Sequence, residues 1–455
     1  MPGAQTSLQL RNTPEAMRRA ARRIVEKLHR HGHQAFFAGG WVRDFLMGRK
    51  PLDVDIATSA SPEQVLGIFP RATPVGVQFG VVKVRLFGRS YDVATFRTEG
   101  PYLDGRHPAS VRFSGPRQDA LRRDFTVNGL FYDPITGRVL DYVNGRADIR
   151  KGILRTIGRP QERFREDKLR MLRAVRFACG LDFKISTGTF DAIRLLAPAI
   201  LEVSWERIRD ELLKILTGPR PDSGLDLMHE SGLMAHILPE VEAMRGVAQP
   251  EEFHPEGDVF VHTRIALRML RHPSPVLALA TLLHDVGKPP TFAVRNRVRF
   301  DGHVEAGARI AEQICRRLRM SNEETARVGE LILDHLRFMH IKEMRLSTLK
   351  RFLRRAHFED HLELHRVDCA SSHGKLDNYR FARAKYEEFK AEPPPAPRLI
   401  TGHDLKAMGY PPGPIFRRIL EAVEDRHLEE PRLTREQALA FVRRHFPPAG
   451  SGQTS

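Results

Sequence analysis

The stretch AGGWVRDFLMGRKPLDVDIAT, residues 38 to 58, decides how the rest of the chain is read. An apolar run, AFF, leads into Gly39 and Gly40, and Trp41-Val42-Arg43-Asp44 then has the character of a helix start. At a glycine-rich strand-to-helix turn, backbone N–H groups can reach a phosphate with no Cβ in the way. A GG turn alone is a weak signal. Asp53-Val54-Asp55 strengthens it, because residues two apart in a strand point to one face and bring their carboxylates together. Two like charges held that close favour a divalent cation. A second strand, Tyr91-Asp92-Val93-Ala94-Thr95, can bring Asp92 to the same edge as a third oxygen ligand. A phosphate cradle with two or three carboxylates is the equipment for two-metal attack on a nucleotide α-phosphate, one Mg²⁺ activating a hydroxyl and the other holding the triphosphate. An isolated D-x-D is ordinarily a solvated loop; GGxVRD ahead of it at this spacing turns the reading to metal.

Working outward, residues 34 to 148 alternate short apolar runs with turns: AFFAGG, VVKVRLF, YDVATF, FTVNGLFYD and VLDYV. These are strand lengths bounded by Gly, Pro and Asp, with helical segments between them, the pattern of an α/β domain. Upstream, Pro14 to His31 is an Arg-rich amphipathic segment; Glu15 and Glu26 argue against a transit sequence, so it reads as the first helix of the fold. From Gln161 the pattern turns helical, with Leu169, Leu172 and Val175 at helix spacing, and continues through VSWERIRDELLKIL and LALATLLHDVGK to about Lys385. Glu392 to Pro397 is too proline-rich to stay helical and marks a linker. A short module, ITGHDLKAMGYPPGPIFRRILEAVEDRHL, follows, and no internal repeat is visible. The expected fold class is a multidomain α+β chain: an N-terminal α/β head with a mixed sheet, then an all-α neck, body, further helical domain and tail. The expected divisions are 1–155, 156–250, 251–390 and 398–446.

The 455 residues allow roughly three domains at about 150 residues each. Lys plus Arg number 73 against 56 Asp plus Glu, and 73 − 56 gives the formal net charge of +17. With 41% apolar residues, that charge belongs to a folded surface, for which nucleic acid is the first partner, an acidic membrane the second, and solubility the plain alternative. Cys179, Cys315 and Cys369 are too few and scattered for a disulfide framework or Cys-rich zinc site, which fits a reducing cytoplasm. No stretch approaches the ~20 apolar residues of a membrane helix. The oligomeric state has no signature here.

The segment GGWVRDFLMGRKPLDVDIAT resembles the signature of class II tRNA nucleotidyltransferases and bacterial poly(A) polymerases, within the polymerase-beta superfamily. RRDFTVNG, Arg122 to Gly129, is similar to that family's second motif, and Asp141-Tyr142-Val143-Asn144-Gly145 to the segment closing the catalytic head. Glu166-Asp167-Lys168-Leu169-Arg170 resembles its E-D-x-x-R nucleotide-selecting motif, with Lys168 where many members have proline. Glu206-Arg207 resembles the next neck motif and ITGHDLKAMGYPPGP the C-terminal module. The resemblance implies CCA addition to tRNA from CTP and ATP, with Mg²⁺ on Asp53 and Asp55, joined by Asp92. It also implies nucleotide contacts from Gly40, Arg43, Arg123, Asp124, Asn128, Asp167, Arg170, Arg173 and Arg176. Within the family the alternatives are an A-adding enzyme and a poly(A) polymerase. Residues 97 to 108, RTEGPYLDGRHP, stand where the family has a flexible loop, which argues against CC-only addition.

Asp167 and Arg170, three apart, are expected on one face of one helix, where a carboxylate accepts from an exocyclic amine and a guanidinium donates to ring acceptors. Cytosine and adenine present an amine beside an unprotonated ring nitrogen; uracil and guanine present the reverse and would leave polar groups unpaired. A plain surface ion pair is the ordinary alternative.

The helical region carries a second constellation: His262, His284-Asp285, Asp301-Gly302-His303, Asp334-His335 and Asp368. Imidazole and carboxylate suit a divalent transition metal, and His-Asp inside an apolar helix is costly unless something binds it. The order resembles the HD phosphohydrolase superfamily, which implies His262, His284, Asp285 and Asp368 as primary ligands and His303 and His335 as holders of a second ion. An HD fold kept only as scaffold is one alternative; another is an HD phosphohydrolase with an inactive, RNA-binding head. The Arg-rich faces at Arg316, Arg317 and Arg319 and at Arg351, Arg354 and Arg355 could track RNA phosphates or simply be solvated. Trp41, Trp205 and Cys179 read as core.

Overall fold

The computed structural model describes residues 13–51, 53–75, 80–100, 110–252, 254–392, 398–430 and 432–447. They form two compact units, residues 1–243 with 313–321 and residues 244–312 with 322–455.

The first unit opens with helix α1 (Pro14–Arg30), started by the Thr13 hydroxyl, which accepts from the Ala16 N–H at 3.2 Å. Its buried stripe, Met17, Ala20, Ala21, Ile24, Val25 and Leu28, faces a mixed sheet. The sheet strands are β1 (Ala35–Ala38), β2 (Asp55–Thr58), β3 (Thr73–Pro74), β4 (Val81–Leu86) and β5 (Arg89–Thr95). A separate antiparallel ribbon, β6 (Arg97–Glu99) with β7 (Val111–Phe113), follows, and β8 (Leu130–Tyr132) and β9 (Val139–Asp141) complete the sheet. The order is β3-β4-β5-β2-β1-β8-β9, with only β2 and β5 parallel. Strand β1 is apolar throughout because both faces of the sheet are covered: Ala35 and Phe37 enter one core, Phe36 and Ala38 the other.

The expected loop at 97 to 108 therefore begins as a strand, while residues 101–109 lie outside the described ones. Behind the sheet come α2 (Gly40–Leu46), α3 (Pro116–Leu121), α4 (Pro160–Glu166), α5 (Leu169–Leu181) and α6 (Trp205–Leu216). Trp41 is buried and stacks on Phe45, and Cys179 is buried, both as expected. Trp205 is half-buried under the Arg317 guanidinium, which also makes a two-point pair with Glu240 at 2.8 and 2.7 Å.

In the second unit, α7 (Val259–Met269), α8 (Pro275–Leu283), α9 (His303 to residue 312 here), α10 (Asn322–Asp334) and α11 (Phe358–Ser371) surround a histidine-rich interior. A small antiparallel hairpin, Ala293–Val294 with Val298–Arg299, and an isolated bridge between Ala248 and Asp258 accompany the helices. Helix Asp377–Ala391 extends beyond the expected end at Lys385, and Glu392, expected to start a linker, pairs with Lys350 at 3.1 Å and Arg354 at 2.9 Å. The tail helices Gly402–Ala407, Pro414–Glu429 and Arg435–His445 enclose their own core around Ile400, Leu405, Tyr410, Ile419, Val423 and Val442. The arginines expected to track RNA are engaged within the fold: Arg351 with Asp425, Arg354 with Glu392, and Arg355 with Glu330 and Asp334. Among the described residues no helix is long and apolar enough to cross a membrane.

Candidate active site and metal centre

The GG turn joins β1 to α2. Gly39 has φ +63°, ψ −127°, and a Cβ there would sit 3.0 Å from Arg123 Nη1, so only glycine lets that guanidinium approach the turn. Asp53 and Asp55 flank the fully buried Val54 and are themselves exposed, which puts their side chains on one face. The parallel register Ile56↔Val93 sets Asp92 beside Asp55. Partial burial, then the charges of Asp53 and Asp92, push the Asp55 carboxyl up, with Arg123 opposing them. Asp92 nevertheless turns toward Lys83, at 3.6 Å, and the three carboxylates do not close into one ligand cluster. Hard oxygen donors on one face, with a carboxyl destabilised by its neighbours, fit a divalent cation of the Mg²⁺ kind.

A cavity of about 500 Å³ opens beside this face. Gly39, Gly40, Arg43, Asp55, Arg123, Asp124 and Asn128 line it, and so do Asp167, Arg170 and Arg173 from the helical part of the same unit. Its groups are held before any ligand arrives. Arg43 Nη1 donates to Asn128 Oδ1 at 2.7 Å, and Asn128 donates in turn to Asp124 Oδ1 at 3.2 Å. Arg173 pairs with Asp124 at 2.7 Å; although burial opposes ionisation, that guanidinium holds the Asp124 carboxyl below its ordinary range. The buried Asp119 grips Arg122 at 2.8 Å and Arg123 at 3.0 Å, and Glu99 takes a second hold on Arg122 at 2.9 Å.

The expectation that Asp167 and Arg170 share one helix face is corrected. Asp167 has φ −145°, ψ 104° and lies in the break between α4 and α5. Its Oδ1 accepts the Leu169 N–H at 3.1 Å and its carbonyl that of Arg170, so it caps α5 from outside. The pair still meets in the cavity, with Asp167 Oδ2 2.8 Å from Arg207 and Arg170 on the Arg163 carbonyl at 3.0 Å. Arg176, expected with the nucleotide, lines an adjoining cavity together with Gly40, Arg43, Asp53 and Asp55 and lies 2.5 Å from the buried Glu211.

The second unit assembles the other constellation tightly. His262 Nε2 and His284 Nε2 are 3.2 Å apart; Asp368 Oδ1 lies 3.1 and 3.8 Å from them, and Asp285 Oδ2 3.9 and 3.3 Å. His303 and His335 join Asp285 in a second group, leaving Asp285 common to both. In four of these rings Nδ1 is occupied: His284 by the Thr281 carbonyl at 2.8 Å, His303 by Phe300 at 2.8 Å, His335 by Ile332 at 2.6 Å, and His262 by Glu256 at 2.7 Å. In His284, His303 and His335 the carbonyl bonds fix the tautomer and leave the Nε2 lone pair free for a ligand, whereas His262 has a carboxylate at each ring nitrogen. Gly287 permits the crossing that brings His303 in, since a Cβ there would meet the His303 carbonyl at 2.0 Å. His303 Nε2 is buried without a hydrogen-bond partner. Burial works against charge on His262, yet hydrogen bonds to Asp368 and Glu256 raise it to about 9, whereas burial drops His335 to about 4. The buried Asp285, the partly buried Asp368 and four imidazoles gathered in this way fit a divalent metal. Lys288, 2.7 Å from Asp285 and bonded to Gln249, joins the walls of a cavity of about 530 Å³ above them.

Sequence reasoning missed Phe177, Glu99, Glu211, Glu256 and Gln249. None of them falls in a motif that spacing singles out, and Glu256 sits in a loop where only the fold brings it under His262. Lys288 carried a signal, as the last residue of HDVGK, without an assigned role.

Residues 35–155 match the poly A polymerase head domain, residues 182–245 the probable RNA and SrmB-binding site of polymerase A, and residues 257–362 the HD domain. A CCA-adding enzyme of Geobacillus stearothermophilus is 46% identical over 215 residues, covering 47% of this chain and 53% of that protein. One of Geobacillus kaustophilus (strain HTA426) is 44% identical over 229 residues, 50% of this chain and 56% of that protein. By those matches the chain spans about half the length of the curated relatives. The crystal structure of a Bacillus stearothermophilus CCA-adding enzyme in complex with CTP is similar at a TM-score of 0.73 and 29% identity, over 94% of this chain and 96% of that one.

Proposed function

We propose, from the matches of residues 35–155, 182–245 and 257–362 to a poly A polymerase head, an RNA-binding segment and an HD domain, that the chain is a cytoplasmic CCA-adding tRNA nucleotidyltransferase. Residues 1–155 would be its catalytic head, 156–250 its neck and body, 251–390 the HD domain and 398–446 the C-terminal module. The reaction is transfer of CMP or AMP from CTP or ATP to a tRNA 3′ end with release of pyrophosphate. The observation that supports it most is that one cavity joins Asp55 and the GG turn to Asp167 and Arg170.

Asp53 and Asp55, with Asp92 beside them, would hold a divalent ion of the Mg²⁺ kind, which would supply charge neutralisation at the α-phosphate and lower the pKa of the attacking hydroxyl. The chain's own groups do the positioning. The Gly39 N–H is taken by the Leu130 carbonyl at 3.1 Å, so the turn offers the phosphate the start of α2 at Gly40, and Arg123 and Arg43 offer guanidinium forks that Asp119 and Asn128 hold in place. Asp167 and Arg170 face the base edge, where an amine next to an unprotonated nitrogen satisfies both side chains and a carbonyl next to an N–H satisfies neither. Arg173, clamped on Asp124, closes the cavity between phosphate and base ends. Incubating the protein with tRNA ending before CC, tRNA ending after CC and an unrelated RNA, one nucleotide at a time, tests the reading. Full CCA addition requires CMP on the first and AMP on the second; AMP alone on the second gives an A-adding enzyme, and AMP runs on any RNA give a poly(A) polymerase.

The preset imidazoles favour a second activity, metal-dependent phosphoester hydrolysis in the HD domain. His262, His284, Asp285 and Asp368 would hold one divalent ion and His303 and His335, sharing Asp285, another. Phosphate release that survives Asp55→Ala and disappears with His284→Ala would establish it as independent of the head.

A further inference from the structure

Asp334 belongs to the histidine-rich stretch of the sequence but to neither HD donor group, and the fold gives it a setting of its own. It ends α10, and Glu330 stands one turn before it, so two carboxylates share a face at the negative end of a 13-residue helix. His361, in the first turn of α11, completes a trio whose ligand atoms all lie within 4.8 Å of one another. Its Nδ1 is 3.8 Å from Asp334 Oδ2, and the side chains of His361 and Asp334 are only 4% and 5% exposed. Phe352 and Phe358 wall the imidazole, their ring centroids 6.1 and 6.0 Å from it. Nδ1 is nevertheless buried without a hydrogen-bond partner. An orphaned polar atom in such a place is costly unless something takes it up. Burial drops the ring to about 4 against the pull of Asp334, so it is neutral, the form that ligates a metal.

We propose that Glu330, Asp334 and His361 form a Zn²⁺ site separate from the HD donors, with Arg355 as the cation that fills it when the metal is away. A metal–ligand bond of about 2.1 Å lets one ion reach two atoms up to about 4.2 Å apart. The 3.8 Å between Nδ1 and Oδ2 is within that span, and Glu330, side chain 44% exposed, can swing to close on the ion. Arg355 bonds Glu330 at 2.6 Å and also reaches Asp334, but its guanidinium leaves His361 unsatisfied. Arg337 holds the other oxygen of Asp334 at 3.1 Å and stays there as the partner that orients the ligand. One imidazole and two carboxylates, with a fourth place for water, make a donor set for Zn²⁺; Mg²⁺ and Ca²⁺ prefer oxygen alone. Bound there, the ion ties the end of α10, next to His335, to α11 two turns ahead of Asp368. Because Arg355 must leave, the site fills at higher Zn²⁺ concentration than the HD donors do.

Equilibrium dialysis of the full chain against Zn²⁺, with Mg²⁺ in excess to occupy the head, tests the site. The unaltered protein is expected to take up one Zn²⁺ beyond those of the HD donors, and Asp285→Ala, which removes the carboxylate common to both HD groups, should keep that ion. His361→Gln should weaken it about a hundredfold, and Glu330→Gln, at an exposed side chain that folding does not need, about tenfold. Arg355→Gln should do the opposite and tighten Zn²⁺ about tenfold, because the competing cation is gone; a trio with a merely structural role gives no such gain. The Glu330 and Arg355 comparisons are made in the otherwise unaltered chain, so they stand whatever Asp285→Ala or His361→Gln does to folding. Additional Zn²⁺ that a folded Asp285→Ala chain fails to bind overturns the site. So does affinity that Glu330→Gln leaves unchanged, or that Arg355→Gln leaves unchanged or weakens.

Discussion

The head and the HD domain each gather acidic residues in a basic protein, and they do so in opposite ways. In the head the carboxylates are exposed, Asp92 leans away to Lys83, and the walls are arginines already tied to Asp119, Asp124 and Glu211. In the HD domain His262, His284, Asp285 and His335 are buried, with His303 and Asp368 partly so; nitrogen is mixed with oxygen, the Nε2 atoms of His262 and His284 lie within 4 Å of carboxylate oxygens of both Asp285 and Asp368, and each ring is engaged through Nδ1. A loosely held oxygen set suits an ion that arrives with substrate phosphates and is completed by them. A preassembled nitrogen and oxygen set suits a resident ion. The proposed roles differ accordingly: an ion that comes with the nucleotide in the head, and a retained one in the HD domain.

The largest effect should come from the head carboxylates. Asp53→Ala is expected to lower nucleotide incorporation by about three orders of magnitude, about 4 kcal/mol, while RNA affinity changes little. Metal content of the HD domain, measured after dialysis, should not change. A variant that lost both would erase the distinction between the two sites. Next in size, adding Mn²⁺ or Ni²⁺ at about a hundred times its dissociation constant should stabilise the protein by about 2.7 kcal/mol in a thermal melt. Asp285→Ala, which removes the ligand common to both His groups, should abolish that shift, and Asp55→Ala should not. A shift that follows Asp55 instead would place the resident ion in the head. Smaller again, Asp167→Asn or Arg170→Lys should cut discrimination of CTP over UTP by about 10- to 100-fold with modest loss of rate, read from single-nucleotide incorporation.

The same contrast explains what could be read without the structure. Motifs whose chemistry depends on local spacing were legible, as in the strand, GG turn and helix around residues 35 to 46; the bounds were not, since the strand expected over Asp53-Val54-Asp55 starts at Asp55 and the apolar helix expected to contain His284-Asp285 ends at Leu283. The mixed head followed by helices was legible for the same reason, since periodicity is a local property. What spacing hid was long-range. Three residues apart within a helical pattern suggested one helix for Asp167 and Arg170, yet Asp167 prefers the capping position that its side chain can satisfy. Arg176 sits one helical turn from Arg173 and serves another cavity, because Phe177 divides them. The arginine runs at 316 to 319 and 351 to 355 gave no sign of Glu240, Glu330 and Glu392, which hold three of them.

Asp119 offers the finest test of whether the head is preset by charge. Burial works against its ionisation, but Arg123 and Arg122 outweigh burial and hold its carboxyl below the ordinary 3.8. The folded protein therefore binds fewer protons at this group than the unfolded chain does near that pH. The stabilisation is fully present above about pH 4 and is lost as pH falls through the folded value. Asp119→Asn keeps the shape and hydrogen-bonding reach and removes the charge, so it should cost about 1 kcal/mol in urea unfolding at neutral pH. The gap between the variant and the unaltered protein should hold steady from pH 8 to 5 and narrow below about pH 4. It should be accompanied by a rise in KM for CTP, because Arg123 loses the anchor that keeps it against Gly39. A pH-independent gap would mean that Asp119 contributes by shape alone, and the arginines of the head would then be held in place by the substrate rather than before it.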